Sequence, residues 1–142
     1  MIGFGCGNLA TAENESRQAS AMQLGELEKL VLQYFWQSGE ADAKTVHAYF
    51  EKLRGGTLNT IQSTLDRLFR KGLLGREKQG HAFIYSAAMD RQTFIGKLVE
   101  EIGADYEADP GSTLIAAFSS ISDKLSDEQI AALERLIEAR RE

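Results

Sequence analysis

The stretch GTLNTIQSTLDRLFRKGLL, residues 56–74, constrains the fold more than any other part of the chain. Leu58, Ile61, Leu65 and Leu68 recur every three or four positions, and Gly72 ends the run just before two short β-prone segments. Such spacing marks one side of an amphipathic helix. Thr57 is a fitting N-cap, since its hydroxyl can accept a backbone N–H that the first helical turn leaves open. Phe69 lies beside the stripe, Asn59, Gln62, Ser63, Asp66 and Arg70 point broadly away, and Thr60, Thr64, Arg67 and Lys71 flank the seam. The segments LLGREK and HAFIYS read as strands joined at Gln79 and Gly80.

Two shorter helices precede this unit. Leu24, Leu27, Leu30, Val31, Tyr34 and Phe35 have helical spacing until SGEAD turns the chain. Asp42 can then cap AKTVHAYFEKL, whose inner stripe is read as Val46, Phe50 and Leu53. Tyr34, Phe35 and Trp36 are consecutive and cannot share one face, so two are expected in the core, with Trp36 beneath the hairpin or partly exposed. Three short helices with tight connections followed by a two-stranded wing form a winged helix-turn-helix.

After Asp90 the pattern is helical again, with Phe94, Ile95, Leu98, Val99 and Ile102 on one face. Pro110 marks a break, a short apolar helix runs from about 113 to 121, and Ser126 with Gln129 forms a capping box for a last helix carrying Leu133, Leu136 and Ile137. About 50 residues in three helices cannot bury this much apolar surface alone, so a second copy of the chain is the expected cover. Phe94, Leu98, Ile102, Leu133 and Ile137 are the expected dimer contacts. The fold class is therefore mainly α with a small β wing. Residues 1–21 are expected as a flexible leader, 22–90 as the winged helix-turn-helix domain and 91–142 as a helical dimerisation region.

A formal net charge of −5 argues against a polyanionic partner until its distribution is considered. Residues 93–142 carry −6, whereas residues 54–91 carry +4. The helix 58–70 also favours Asn, Gln, Ser, Thr and Arg over Glu on its outer side, and these side chains suit base edges and phosphates. A recognition helix offers its N-terminal turns to the major groove, making Asn59, Thr60, Gln62 and Ser63 the base-reading candidates. Thr57, Arg67, Lys71, Arg76 and Lys78 are the phosphate candidates, with Lys52, Arg54 and His81 nearby. A solvated amphipathic helix, or a winged helix that binds protein rather than DNA, gives a similar pattern and remains open.

Enzyme signals are poor. His47 and His81 have no second ligand at metal spacing, Cys6 has no activating neighbour, and Gly3, Gly5 and Gly7 do not make a dinucleotide fingerprint. The acidic residues Glu100, Glu101, Asp105, Glu107 and Asp109 follow no calcium-loop pattern and read as solvated charge. No cofactor or metal is expected. A single cysteine, no apolar run of membrane length and an N-terminus without a basic region lead to the expectation of a cytoplasmic protein without a membrane partner.

The segments LGELEKLVLQYFWQSGEADAKTVHAYF, TLNTIQSTLDRLFRKGLLGREKQGHAFIY and LSDEQIAALERLIE together resemble the penicillinase repressor family of bacterial transcription regulators, over roughly residues 22–140. Leu24, Glu26, Leu27, Glu28 and Trp36 carry the resemblance in the first helix. Thr60, Leu65, Asp66, Arg67, Leu68, Lys71, Gly72, Leu73 and Leu74 carry it through the third helix, and Gly80 and Tyr85 in the wing. The resemblance implies a homodimeric repressor on a palindromic DNA operator that catalyses no reaction. It also implies an unidentified protease or signalling protein as a further partner. Resistance-linked members are cleaved between Asn and Phe, where this chain has Ala117 and Phe118, and the terminal cysteine pattern of copper-responsive members is missing here.

Overall fold

The computed structural model describes residues 22–142. The expected leader, with Cys6 and the Gly3 to Gly7 series, lies outside them. The chain divides into two compact units after Leu98.

In the first unit the element order is α1 (Glu26–Ser38), β1 (Ala41–Asp42), α2 (Ala43–Arg54), α3 (Leu58–Arg70), β2 (Leu74–Gln79), β3 (Ala82–Ala87) and the start of α4 (Arg91–Asp105). The three-stranded antiparallel sheet has the order β1-β3-β2. This is a winged helix: α2 and α3 form the helix-turn-helix, and the β2–β3 hairpin is the wing. Local signals account for the helix starts. Asp42 accepts the Thr45 backbone N–H at 2.9 Å and Thr57 accepts that of Thr60 at 3.2 Å, so each expected cap closes its helix.

The exit from α3 is a Schellman motif. Gly72, at φ 79°, donates its N–H to Phe69, and Leu73 donates to Leu68. Leu68 and Leu73 are both fully buried, so the motif turns the chain into the wing while keeping its apolar partners in the core. The wing turn falls at Gly80 and His81, one residue later than the expected Gln79 and Gly80. Gly80 has φ 63°, and a two-residue turn with glycine first avoids forcing Gln79 into a left-handed conformation.

Val31, Leu32 and Phe35 from α1, Val46 and Phe50 from α2, and Ile61, Leu65 and Leu68 from α3 enclose the core with Leu73, Leu74 and Tyr85. The expected stripe of α2 is shorter than its spacing implies. Leu53 is 66% exposed, because the chain turns away at Gly55 before another element covers it. Thr64, expected at the seam, is fully buried; its hydroxyl donates to the Thr60 carbonyl at 2.8 Å and accepts from Arg67 Nη2 at 3.2 Å. Trp36 does lie beside the exit from the wing. Its indole N–H donates to the Met89 carbonyl at 3.0 Å, and its ring centroid is 5.4 Å from that of Phe94.

In the second unit the chain breaks after Asp105, at the expected place, and α5 (Pro110–Ile121) begins earlier than expected, with Pro110 in its first turn. The fixed φ of proline suits a first helical position, and Asp109 caps it by accepting the Ser112 N–H at 3.1 Å. A 3₁₀ turn, Ser122–Lys124, leads to α6 (Asp127–Arg141), which opens with the expected reciprocal capping box of Ser126 and Gln129. Neither α5 nor α6 contains a buried residue.

Candidate nucleic-acid interface

Ile61, Thr64, Leu65 and Leu68 anchor α3 in the core, which turns its opposite side outward. Asn59, Gln62 and Ser63 are exposed there at helical neighbour spacing, and Thr60 is exposed beside the cap. The Thr60 and Thr57 hydroxyls are 3.0 Å apart, so both already share the helix-capping arrangement. The four base-reading candidates therefore occupy the first two turns of one well-anchored helix. Thr57, at its N-cap, is also exposed.

The cationic side chains are less uniform than their sequence positions imply. Lys71, a phosphate candidate, places its ammonium 2.7 Å from the Glu28 carboxylate on α1, and both side chains are largely covered. Arg76, with the same expectation, donates to Asp66 at 3.1 Å. Its guanidinium carbon is 4.0 Å from the Phe69 ring centroid and 4.3 Å from that of Phe83. These two cations are engaged within the protein. Arg70 Nε also lies 3.0 Å from Asp66 in an i,i+4 ion pair, which offsets the negative charge of that carboxylate on this face. Arg67 is half-exposed, with its Nε 3.8 Å from Glu28, while Lys78 is exposed near the end of β2.

A groove of about 350 Å³ runs between the start of α2, α3 and the wing, lined by Asp42, Lys44, Gln62, His81, Phe83 and Tyr85 among others. It brings together Gln62 from α3, His81 from the wing turn and the exposed Lys44 from the first turn of α2. Lys44 belongs to no motif in the sequence; its position two residues after the Asp42 cap is the one local signal that could have found it. Hydrogen bonding from Thr45, side chain first and backbone second, holds the Asp42 carboxyl below its ordinary pKa. His47 makes a contact of 3.1 Å between its Nε2 and the Gly56 carbonyl, tying α2 to the connection before α3. Lys52 and Arg54 are exposed near the end of α2.

The expected dimer residues separate into two groups. Phe94 is only 9% exposed and packs on Trp36 in the first unit, so it is a core residue rather than a free interface residue. Leu98 is partly buried against the same core. Ile102 and Ile137 are exposed in the second unit, and Leu133 is half-buried there.

The penicillinase repressor family model matches residues 24–139, most of the chain and both units. The chain belongs to the penicillinase repressor family. The penicillinase repressor of Bacillus licheniformis is 26% identical over 117 residues, covering 82% of this chain and 90% of that protein. Among solved structures, the DNA-binding domain of the repressor BlaI is 28% identical, with a TM-score of 0.47, covering 50% of this chain and 87% of that one. A homodimeric winged helix-turn-helix DNA-binding domain from Mycobacterium bovis, described as a possible ArsR-family regulator, is 19% identical with a TM-score of 0.44. It covers 75% of this chain and 93% of its own.

Membership of the penicillinase repressor family makes this chain a repressor-type regulator rather than an enzyme, and its first unit has the winged-helix fold. Among the described residues no group of three or more His, Cys, Asp or Glu side chains is arranged to hold a metal ion. No described helix is long and apolar enough to cross a membrane.

Proposed function

We propose that this penicillinase repressor family protein is a homodimeric, sequence-specific repressor that binds a palindromic operator in the cytoplasm. The observation that carries this reading is the outward polar stripe Asn59, Gln62 and Ser63, with Thr60, on a helix whose other side is locked into the core. These side chains read base edges in the major groove. Thr57, Arg67 and Lys78 hold flanking phosphates, and Lys44 joins them from the start of α2. Lys71 and Arg76 act indirectly, by fixing the elements that carry the contacts.

In this reading residues 22–90 supply the DNA-binding domain and residues 91–142 the dimerisation region. Support for the second role comes from Leu114, Ile115, Phe118, Ile121, Leu136 and Ile137, all exposed in a unit whose last two helices contain no fully buried residue. A second copy is the simplest cover for that surface, through Ile102, Leu133 and Ile137 with Leu136 beside them. The two recognition helices then meet half-sites one DNA turn, or a multiple of it, apart.

A protein-binding adaptor is the competing reading, favoured by the self-neutralised cations around α3 and the net charge of −5. Titration with duplex fragments of the promoter region upstream of the chain's own coding sequence separates the two. Saturable binding that survives excess scrambled duplex at moderate salt is expected; its absence would favour the adaptor. Release by a protease at Ala117 and Phe118 would require cutting within α5, where Phe118 is 45% exposed.

A further inference from the structure

Of the two Lys and Arg side chains in the wing strands, Lys78 is exposed, whereas Arg76 is turned back towards α3. Arg76 joins three elements with one guanidinium: Asp66 and Phe69 on α3, its own strand β2, and Phe83 on β3. The rings provide favourable cation–π contacts and the carboxylate a charge-assisted hydrogen bond. Asp66 places its other oxygen 3.0 Å from Arg70 Nε, so the carboxylate itself is held from two sides.

The strand register gives this arrangement a consequence for the wing tip. Arg76 pairs with Tyr85 and Lys78 with Phe83, so the period of two puts all four side chains on the same face of the hairpin. Towards the base, Leu74 and Tyr85 are buried; beyond Arg76, residues 77–83 are all exposed. Among the described residues, Arg76 makes the outermost hydrogen bond between the hairpin and α3, two residues before Lys78.

Resting on the DNA-binding reading above, we infer that Arg76 is a positioning residue that sets the wing against α3, so that Lys78 reaches the phosphate flanking the bases read by that helix. A lysine does not reproduce this function, because an ammonium lacks the planar surface that lies between two rings and the fork that meets Asp66.

The test uses the full chain and a duplex enriched by the wild-type protein from a random-sequence library. Arg76→Lys and Arg76→Gln are each expected to weaken binding by about tenfold, the scale of one charge-assisted hydrogen bond. Lys78→Gln costs a similar factor in the wild type and less than about twofold in either Arg76 variant, since Lys78 no longer reaches the phosphate there. Phe83→Leu, which retains every charge, reproduces part of the loss. Arg76→Lys binding like wild type, or losses from Arg76→Lys and Lys78→Gln that simply multiply, would overturn the inference.

Amide hydrogen exchange without DNA provides a separate readout. Faster exchange across residues 77–83 in Arg76→Lys, with protection of the α3 core retained, is expected; unchanged wing exchange would overturn the brace. A library that yields no enriched duplex sinks the DNA-binding reading together with the positioning of Lys78, while the exchange result still decides whether Arg76 holds the hairpin.

Discussion

The Lys71 ammonium lies 2.7 Å from the Glu28 carboxylate, linking the end of α3 to α1 across 43 residues of sequence. The Glu28 side chain is only 12% exposed, so it depends on this partner more than a surface carboxylate would. Lys71→Met is expected to destabilise the protein by about 1–3 kcal/mol, the usual cost of leaving a covered polar group without its bond. Adding Glu28→Met should recover much of that loss. Urea denaturation of both single variants and the double variant measures the coupling; additive losses would count against the pair as a structural tie.

The recognition helix and its flanks should respond differently to substitution. Gln62→Ala or Ser63→Ala is expected to reduce the preference for the selected duplex by about 1–3 kcal/mol for each base pair no longer read. Arg67→Gln or Lys78→Gln should instead weaken selected and scrambled duplexes alike and lower the salt dependence by roughly one phosphate per subunit. Affinities measured over a range of salt concentrations decide between these patterns. Equal losses on both duplexes for all four variants would rule out the division between readers and clamps.

Phe94 and Ile137 should separate folding from assembly. Phe94→Ala removes a ring packed on Trp36 and is expected to cost about 3–5 kcal/mol of stability. Ile137→Asp places a charge on an exposed apolar position of α6, and should shift the protein from dimer to monomer in sedimentation while leaving the first unit's exchange protection intact. A variant at Ile137 that stays dimeric would move the interface elsewhere.

Acid should loosen helix starts. Bonds from Thr45, Thr93 and Ser112 hold Asp42, Asp90 and Asp109, respectively, below the ordinary Asp pKa. A lowered folded-state pKa gives stability that is complete above the unfolded value and is lost as pH falls through the folded one. Circular dichroism should therefore stay level from about pH 7 to pH 5 and lose helix below about pH 4, where free Asp begins to protonate. Replacing all three with Asn should flatten that decline.

Glu101 has the opposite sign. Burial first, and Asp105 second, raise its pKa, and its Oε2 is covered without a hydrogen-bond partner among the described residues. Its charge opposes folding above the raised value, an effect relieved as pH falls through it. Glu101→Gln should consequently raise the melting temperature at neutral pH and have less effect in acid. A lower melting temperature at neutral pH would show that the charged form has a favourable partner in the assembled protein.

Much of the fold is legible because its signals are local. Asp42, Thr57 and Ser126 sit next to the helices they cap, and the spacing of Ile61, Leu65 and Leu68 is itself the buried side of α3. The two-residue strand Ala41–Asp42 has no comparable signal, since it is defined by pairing with Ile84 and Tyr85 more than 40 positions away. Leu53 follows the helical stripe but emerges exposed, and Thr64 lies at the seam but is buried, because the surrounding elements decide how far the core extends.

The same distinction applies to the candidate DNA surface. Helix α3, its exposed polar stripe and the wing hairpin follow from the order of residues, because periodicity, caps and turn residues act within a few positions. Which cations remain available depends on the packed arrangement instead. Glu28 engages Lys71, while Asp66, Phe69 and Phe83 engage Arg76; Lys78 extends beyond those contacts. Ion pairs and cation–π contacts weaken with separation in space, so the positions brought together by folding determine which charges are held inside the protein and which face a partner.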